Sequence, residues 1–251
     1  MLAIERRNEI LALLEQDRSV LVAELAVRYS VADETIRRDL EKLENEGLVK
    51  RTYGGAVLIN NTSTDASYII RAKTNVKQKS IIAGKVFDLV DNGENIIMDA
   101  SSTSVLIAKQ LKRKKKLTIL TNSVEILLNF ADSKNISVIS TGGVLRESSL
   151  SLVGRDAERI IENCTADKAI ISCKGIDFKK GVTESNIAEA EIKRAMVTNA
   201  KQVVLALDSS KFDKLSFSRI MDLHSISALV TDRPPPPEWE EFLSANGIEI
   251  L

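Results

Sequence analysis

Six short β-rich runs recur from residue 93 onward, at 95–98, 117–120, 136–139, 168–172, 203–207 and 228–230. Most are followed by a stretch of helical periodicity. This alternation constrains the fold more than any other feature, because strands joined by helical crossovers line up in parallel and need cover on both faces. Residues 248–251 read as one more strand, after a short helix over 239–245. All four prolines form one block, 234–237, which a sheet interior excludes; it reads as a stiff surface connector. With 251 residues, 44% of them hydrophobic, the chain can bury the core of a large domain beside a small one.

In an open α/β sheet the carboxyl ends of the strands form the ligand crevice. The residues that leave the runs here carry hydroxyls, amides, glycines and charges: Asp99, Ser101, Ser102 and Thr103; Thr121 and Asn122; Gly142 and Gly143; Lys174 and Asp177; Asp208 and Lys211. Ser101, Ser102 and Thr103 head a helix, where backbone N–H groups and the helix dipole favour an anion. Arg146, Lys174 and Lys211 add positive charge. Such groups suit a phosphorylated, polyhydroxylated small molecule, although each loop alone is also ordinary turn and cap chemistry.

The N-terminal residues follow a different pattern. On a helical period Ile36, Leu40 and Leu43 share one face, while Thr35, Arg37, Arg38 and Lys42 project from the other. A shorter helix over 22–29, anchored by Leu25, precedes it, and Ser30, Val31 and Ala32 are too few for anything but a turn. Two helices so joined make a helix-turn-helix, and arginines near the start of its second helix suit the major groove. The residues also admit a plainer role. Glu34 and Arg38 are four apart, as are Arg37 and Glu41, which is the spacing of intrahelical ion pairs. Charge does not decide between them, since residues 1–55 hold nine Arg and Lys against eleven Asp and Glu. Residues 48–57 follow Gly47, a helix-stopping glycine, and read as a small β-hairpin, or wing.

With the wing in place, residues 1–57 resemble the winged helix-turn-helix of the DeoR family of bacterial transcriptional regulators, through Val31, Thr35, Ile36, Arg37, Arg38, Asp39, Leu40, Leu43, Gly47, Arg51, Gly54 and Gly55. The family's serine at the start of the recognition helix is Ala32 here, which leaves Asp33 to cap the helix and lets it begin one residue later. The resemblance implies operator DNA as partner and a contact set of Asp33, Glu34, Thr35, Arg37, Arg38, Lys42, Arg51, Tyr53 and Gly54. It extends along the rest of the chain, through residues 99–103, 121–122, 142–143 with Arg146, 166–168, 175–177 with Gly181 and Thr183, 189–196 and 208–212. The family's C-terminal sensor domain is similar to ribose-5-phosphate isomerase, and the likeness implies a phosphorylated sugar effector. Ala100 stands where the family often has glycine, which narrows the approach of backbone to phosphate.

The expected organisation is a winged helix-turn-helix at 1–57 with its motif at about 20–39, a linker at 58–80, and a Rossmann-like effector-sensing domain at 81–251 with a mostly parallel sheet. The expected function is a transcriptional regulator, a repressor of a carbohydrate-use operon, in a cytoplasmic homo-oligomer. The alternative is a sugar-phosphate isomerase-like enzyme with an appended DNA-binding head, for which Asp99, Asp177, Asp208, Lys174 and Lys211 are the available carboxylates and cations. No catalytic set, cofactor or metal site is expected: His224 is the only histidine, and Cys164 and Cys173 lack metal-ligand spacing and read as reduced thiols. No run of about eighteen apolar residues exists to span a membrane, and the net charge is zero, so attraction to nucleic acid must be local. Residues 60–85 offer one basic segment, with Arg71, Lys73, Lys77, Lys79 and Lys85 against Asp65, and residues 112–116 another, read as a solvated helix end.

Overall fold

A computed structural model describes residues 2–45, 48–58 and 68–251; Gly47, Asp65 and the middle of the expected linker lie outside the described residues. The chain forms two compact units, Met1–Thr74 and Asn75–Leu251.

The first unit runs α1 (Ala3–Asp17), β1 (Ser19–Leu21), α2 (Val22–Tyr29), α3 (Asp33–Asn45), β2 (Val49–Thr52), β3 (Gly55–Leu58) and α4 (Tyr68–Lys73). The apolar stripe of α3, Ile36, Leu40 and Leu43, meets Leu25 of α2 and Ile10 and Leu14 of α1 in one buried cluster. Ser30 takes the left-handed conformation (φ 53°), which ends α2 and turns the chain toward α3. The wing is the antiparallel pair β2–β3, and β1 adds to β3 to make a three-stranded sheet. Gly55 is required there, because a Cβ would run into the carbonyl of Val20 on β1.

The second unit contains α5 (Val76–Leu89), β4 (Asn95–Met98), α6 (Ser102–Leu111), β5 (Leu117–Thr121), α7 (Val124–Asn129), β6 (Ile136–Ser140), β7 (Val144–Arg146), β8 (Ser151–Val153) and α8 (Arg155–Glu162). There follow β9 (Ala166–Ile171), β10 (Gly175–Asp177), β11 (Gly181–Glu184), α9 (Ile187–Thr198), β12 (Ala200–Ala206), β13 (Ser218–Met221), β14 (Ala228–Val230), α10 (Pro237–Ala245) and β15 (Glu249–Ile250). Seven strands form one sheet in the order β15-β14-β12-β9-β4-β5-β6, and every pairing in it is parallel. One side-chain set, with Ile97, Leu120, Ala169 and Leu205, packs with residues of α8, α9 and α10. The alternate set, Ile96, Met98, Ile119 and Ile170, is equally buried, so the sheet is covered on both faces.

The chain winds outward from β4 through β5 to β6, then returns to β9 on the other side of β4 and winds the opposite way. The β4/β9 boundary is therefore the topological switch point, where open parallel sheets leave a crevice at their carboxyl ends.

Part of the stretch expected as a linker is helical, with α4 and the start of α5 in it, Tyr68 buried and Ile70 packed on the winged-helix core; the two units divide within it, between Thr74 and Asn75. Two expectations are corrected. The proline block is not wholly a connector, because Pro237 opens α10, where a missing N–H costs nothing. Residues 175–177 are not a loop leaving β9 but the strand β10, paired antiparallel with β11 in a separate sheet, β10-β11-β13.

Candidate functional site

The first turn of α3 is built without a side-chain cap. Thr35 N–H donates to the Ala32 carbonyl at 2.9 Å, so the backbone ladder starts from Ala32 and Asp33 is the first helical residue. The expected cap by Asp33 is thereby corrected; at this position its carboxylate complements the helix dipole instead. Arg37 and Arg38 point outward with side chains 57% and 75% exposed, and both lean toward Glu34, at 3.8 and 3.7 Å. Arg37 thus pairs with Glu34 and not with Glu41. Exposed pairs of that length hold weakly and release easily to a stronger anion. Thr35 is half-buried and Lys42 exposed. Asp39, on the inner face, is locked by α1: Arg6 Nε donates to Oδ2 at 2.6 Å and Arg7 Nη1 to Oδ1 at 3.4 Å, all three side chains being buried or nearly so.

At the wing, Tyr53 is fully exposed and Gly54 turns the hairpin with φ 93°. Arg51 is not free-swinging. Its backbone N–H donates to Glu44 Oε1 at 2.9 Å and its Nε to Glu44 Oε2 at 2.6 Å, joining β2 to the last turn of α3. The Arg51 N–H groups, backbone then side chain, hold the Glu44 carboxyl below the usual carboxylate range. Arg37, Glu44, Arg51, Thr52 and Gly54 line a polar groove of about 320 Å³ between recognition helix and wing.

In the second unit the exits of β4 and β9 meet across the switch point. Asp99 Oδ2 accepts from Ser172 N–H at 3.1 Å, while Oδ1 accepts from Ser101 N–H (3.2 Å), Ser101 Oγ (2.8 Å) and Ser104 Oγ. Ser101 in turn caps α6 by accepting from Ser104 N–H at 3.0 Å. Beneath lies Lys193 of α9, whose ammonium is 3.1 Å from Asp99 Oδ2, donates to the Ser172 carbonyl at 2.9 Å and is bonded to Glu184. Burial opposes both charges of the Lys193–Glu184 pair, but their attraction wins, with Asp99 and Lys174 adding to it. Lys193 is held well above the usual lysine range, and the Glu184 carboxyl is pulled down to about 2. Glu189, one turn before Lys193, accepts from Ser151 Oγ at 2.9 Å and faces Arg146 Nη1 at 3.5 Å.

Around this floor, Ser102 and Thr103 form the buried first turn of α6. Asn122 donates to the Leu152 carbonyl at 3.1 Å, and its buried Oδ1 has no partner among the described residues. Gly142 and Gly143 carry φ values of 61° and 106°, and a Cβ on Gly143 would meet the Val153 carbonyl at 2.6 Å. Asp208 caps the turn Ser209–Lys211 and accepts from Asn75 Nδ2 at 3.3 Å; burial works against its charge, yet Lys211, Ser210 and Lys79 hold its carboxyl below the usual range. Lys85 of α5 donates to the Thr231 carbonyl at 2.8 Å. Two residues of the basic segment 60–85, Lys79 and Lys85, are therefore turned onto the strand exits.

Residues 6–62 match the family described as the DeoR-like helix-turn-helix domain, and residues 74–233 match the DeoR C terminal sensor domain. The chain belongs to the DeoR family. It is 42% identical to the uncharacterized HTH-type transcriptional regulator YulB of Bacillus subtilis (strain 168), over 100% of this chain and 96% of that one. It is 30% identical to the glycerol-3-phosphate regulon repressor of Escherichia coli (strain K12), over 98% and 97%. Among solved structures, ribose 5-phosphate isomerase A from Methanocaldococcus jannaschii aligns with TM-score 0.39 and 15% identity over 53% of each chain.

Within this DeoR-type sensor unit the structure brings Asp99, Ser101, Ser102 and Thr103 to the switch point and surrounds them with the other strand exits. Two of the expected residues make structural bonds of their own. Thr121 donates its hydroxyl to the Met98 carbonyl at 2.8 Å, tying β5 to β4. Asp177 accepts from the N–H groups of Lys179 and Lys180 at 2.9 and 2.8 Å, capping the β10–β11 turn. Arg146 is joined to Glu189 and, at 3.0 Å, to Ser149. Sequence reasoning did not single out Glu184, Glu189, Lys193 or Asn75 as site residues, and read Lys79 only as part of a basic segment. One signal was present: Glu189, Lys193 and Met196 fall on a single helical stripe, which puts two charges where only apolar residues are expected. Among the described residues there is no cluster of three or more His, Cys, Asp or Glu able to hold a metal ion, and no helix long and apolar enough to cross a membrane.

Proposed function

We propose that this DeoR-family regulator is a cytoplasmic repressor of a carbohydrate-use operon, released from its operator when a phosphorylated sugar occupies the switch-point crevice. The observation that carries this reading is the convergence on one sheet edge of the α6 first turn, the Asn122 amide with its unpartnered Oδ1, the Gly142–Gly143 turn and Lys211. Amide and hydroxyl groups match sugar hydroxyls, and a helix N-terminus with lysines matches a phosphate. The name of the E. coli relative, which couples a phosphorylated polyol to a repressor, supports the same class of effector.

Arg37 and Arg38, with Thr35 and Lys42 beside them and the wing residues Arg51, Tyr53 and Gly54, form the DNA-contacting surface in this reading. One such head touches few base pairs, so a homo-oligomer supplies further half-sites. An effector acts only through unequal affinity for two conformations, typically a coupling of about 1–3 kcal/mol. The isomerase alternative has less support: Lys193 and Glu184 are buried against one another and held as ions, so neither is poised to exchange a proton near neutral pH.

The test is thermal unfolding of the full chain against a panel of sugar phosphates and the matching free sugars. A specific effector raises the melting temperature by mass action. Turnover of an aldose phosphate by the purified protein contradicts the regulator-only reading.

A further inference from the structure

Glu44 grips Arg51 at two points, the backbone N–H and the side-chain Nε, and so fixes both the wing strand and the direction of its guanidinium. With Nε committed, the donors on Nη1 and Nη2 remain, and no acceptor meets them among the described residues. Arg37 lines the same groove from the helix side, held only by its 3.8 Å approach to Glu34. Counting Arg37, Arg51 and Glu44, the groove keeps one net positive charge. Thr52 and the Gly54–Gly55 backbone complete its polar wall.

A carboxylate on a DNA-facing surface ordinarily repels phosphate. Glu44 departs from that rule because it spends its charge on a bidentate hold that leaves the outer edge of the guanidinium presented. Two arginines meeting from helix and wing in one groove fit a tetrahedral anion better than the flat edge of a base, and phosphate contacts of this kind set the register of a DNA-binding head. We infer that Glu44 is a positioning residue for DNA binding: it aims Arg51, together with Arg37, at one backbone phosphate of the operator seated between recognition helix and wing. The inference rests on the DNA reading of α3 and the wing. It leaves Arg38, the more exposed arginine, for base contact.

The experiment uses the full chain and a duplex selected by it from a random pool, with binding followed by fluorescence anisotropy across a salt series. Glu44→Gln keeps an acceptor for the Arg51 backbone N–H but loses the one for Nε. It is expected to weaken binding about tenfold although it removes a negative charge, and the slope of log affinity against log salt is expected to flatten by about 0.9, the equivalent of one phosphate. Arg51→Ala should show the same flattening, and Glu44→Ala should cost nothing more in an Arg51→Ala background, because one contact is lost either way. Unchanged or tighter binding by Glu44→Gln, or additive losses in the double variant, overturns the assignment while leaving the DNA reading intact. If the wild-type chain selects no duplex at all, the DNA reading itself falls and the inference with it.

Discussion

The Lys193 ammonium lies 3.1 Å from Asp99 Oδ2, so a cation on α9 reaches the loop that opens α6 and, through Glu184, the end of β11. One side chain thus ties three elements together beneath the switch point. Replacing it with methionine keeps the bulk but leaves two buried carboxylates without their counterion. Breaking a buried pair in this way costs about 3–5 kcal/mol. Urea unfolding of Lys193→Met, followed by the fluorescence of Trp239, the chain's single tryptophan and a buried residue of this unit, is expected to show a midpoint lowered to match. An unchanged midpoint contradicts the role given to the pair.

Acid should act on the same centre. The Glu184 carboxyl titrates at about 2 in the folded protein against 4.5 ordinarily, because Lys193 outweighs the cost of burial. A depressed carboxyl contributes stability that is complete above its unfolded value and is lost as the pH falls through the folded one. The Trp239-monitored midpoint is therefore expected to drop between about pH 4.5 and pH 2, with Asp208 adding in the same direction. Lys193 is shifted upward, so its contribution is present below the ordinary lysine value and survives mild alkali. Glu184→Gln should flatten the acid limb; an identical limb in the variant contradicts the assignment.

The seven strands of the main sheet were legible because β-branched runs bounded by turn residues state their own conformation. The recognition helix was legible for the matching reason, the stripe of Ile36, Leu40 and Leu43. Lys193 was not. Whether a lysine on an amphipathic helix is buried depends on carboxylates brought to it by other elements, and Glu184 and Asp99 become its neighbours only in the folded sheet. The strand at 175–177 was missed for a related reason: a Gly-Ile-Asp segment reads equally as loop or strand until its partner β11 is known. The pairing of Asp39 was not legible, since Arg6 and Arg7 lie more than thirty residues away in the chain.

Asp39 is expected to matter for DNA binding without touching DNA. Asp39→Ala leaves two guanidinium groups of α1 unpaired at a buried site and loosens the support of α3, at a cost of about 3 kcal/mol to the small unit. Operator affinity should fall together with the melting temperature of the winged helix, read by circular dichroism of residues 1–74 within the full chain as the earlier transition. Wild-type affinity in Asp39→Ala contradicts this.

The two thiols should differ in reactivity. Burial pushes the Cys173 thiol up to about 12, so it holds almost no thiolate at neutral pH, whereas Cys164 is only half-buried. A chromogenic disulfide reagent is expected to titrate one thiol in the native protein and a second on unfolding. Two fast thiols in the native state contradict the burial of Cys173.

In the proposed regulator a phosphorylated sugar in the switch-point crevice governs the grip of α3 and the wing on DNA. The most direct measurement is operator affinity by fluorescence anisotropy, taken with and without each member of a panel of sugar phosphates and their dephosphorylated counterparts. One phosphorylated sugar is expected to change the affinity about 5- to 150-fold, and its free sugar to leave it unchanged. An affinity indifferent to every sugar phosphate, or equally sensitive to the free sugar, contradicts it.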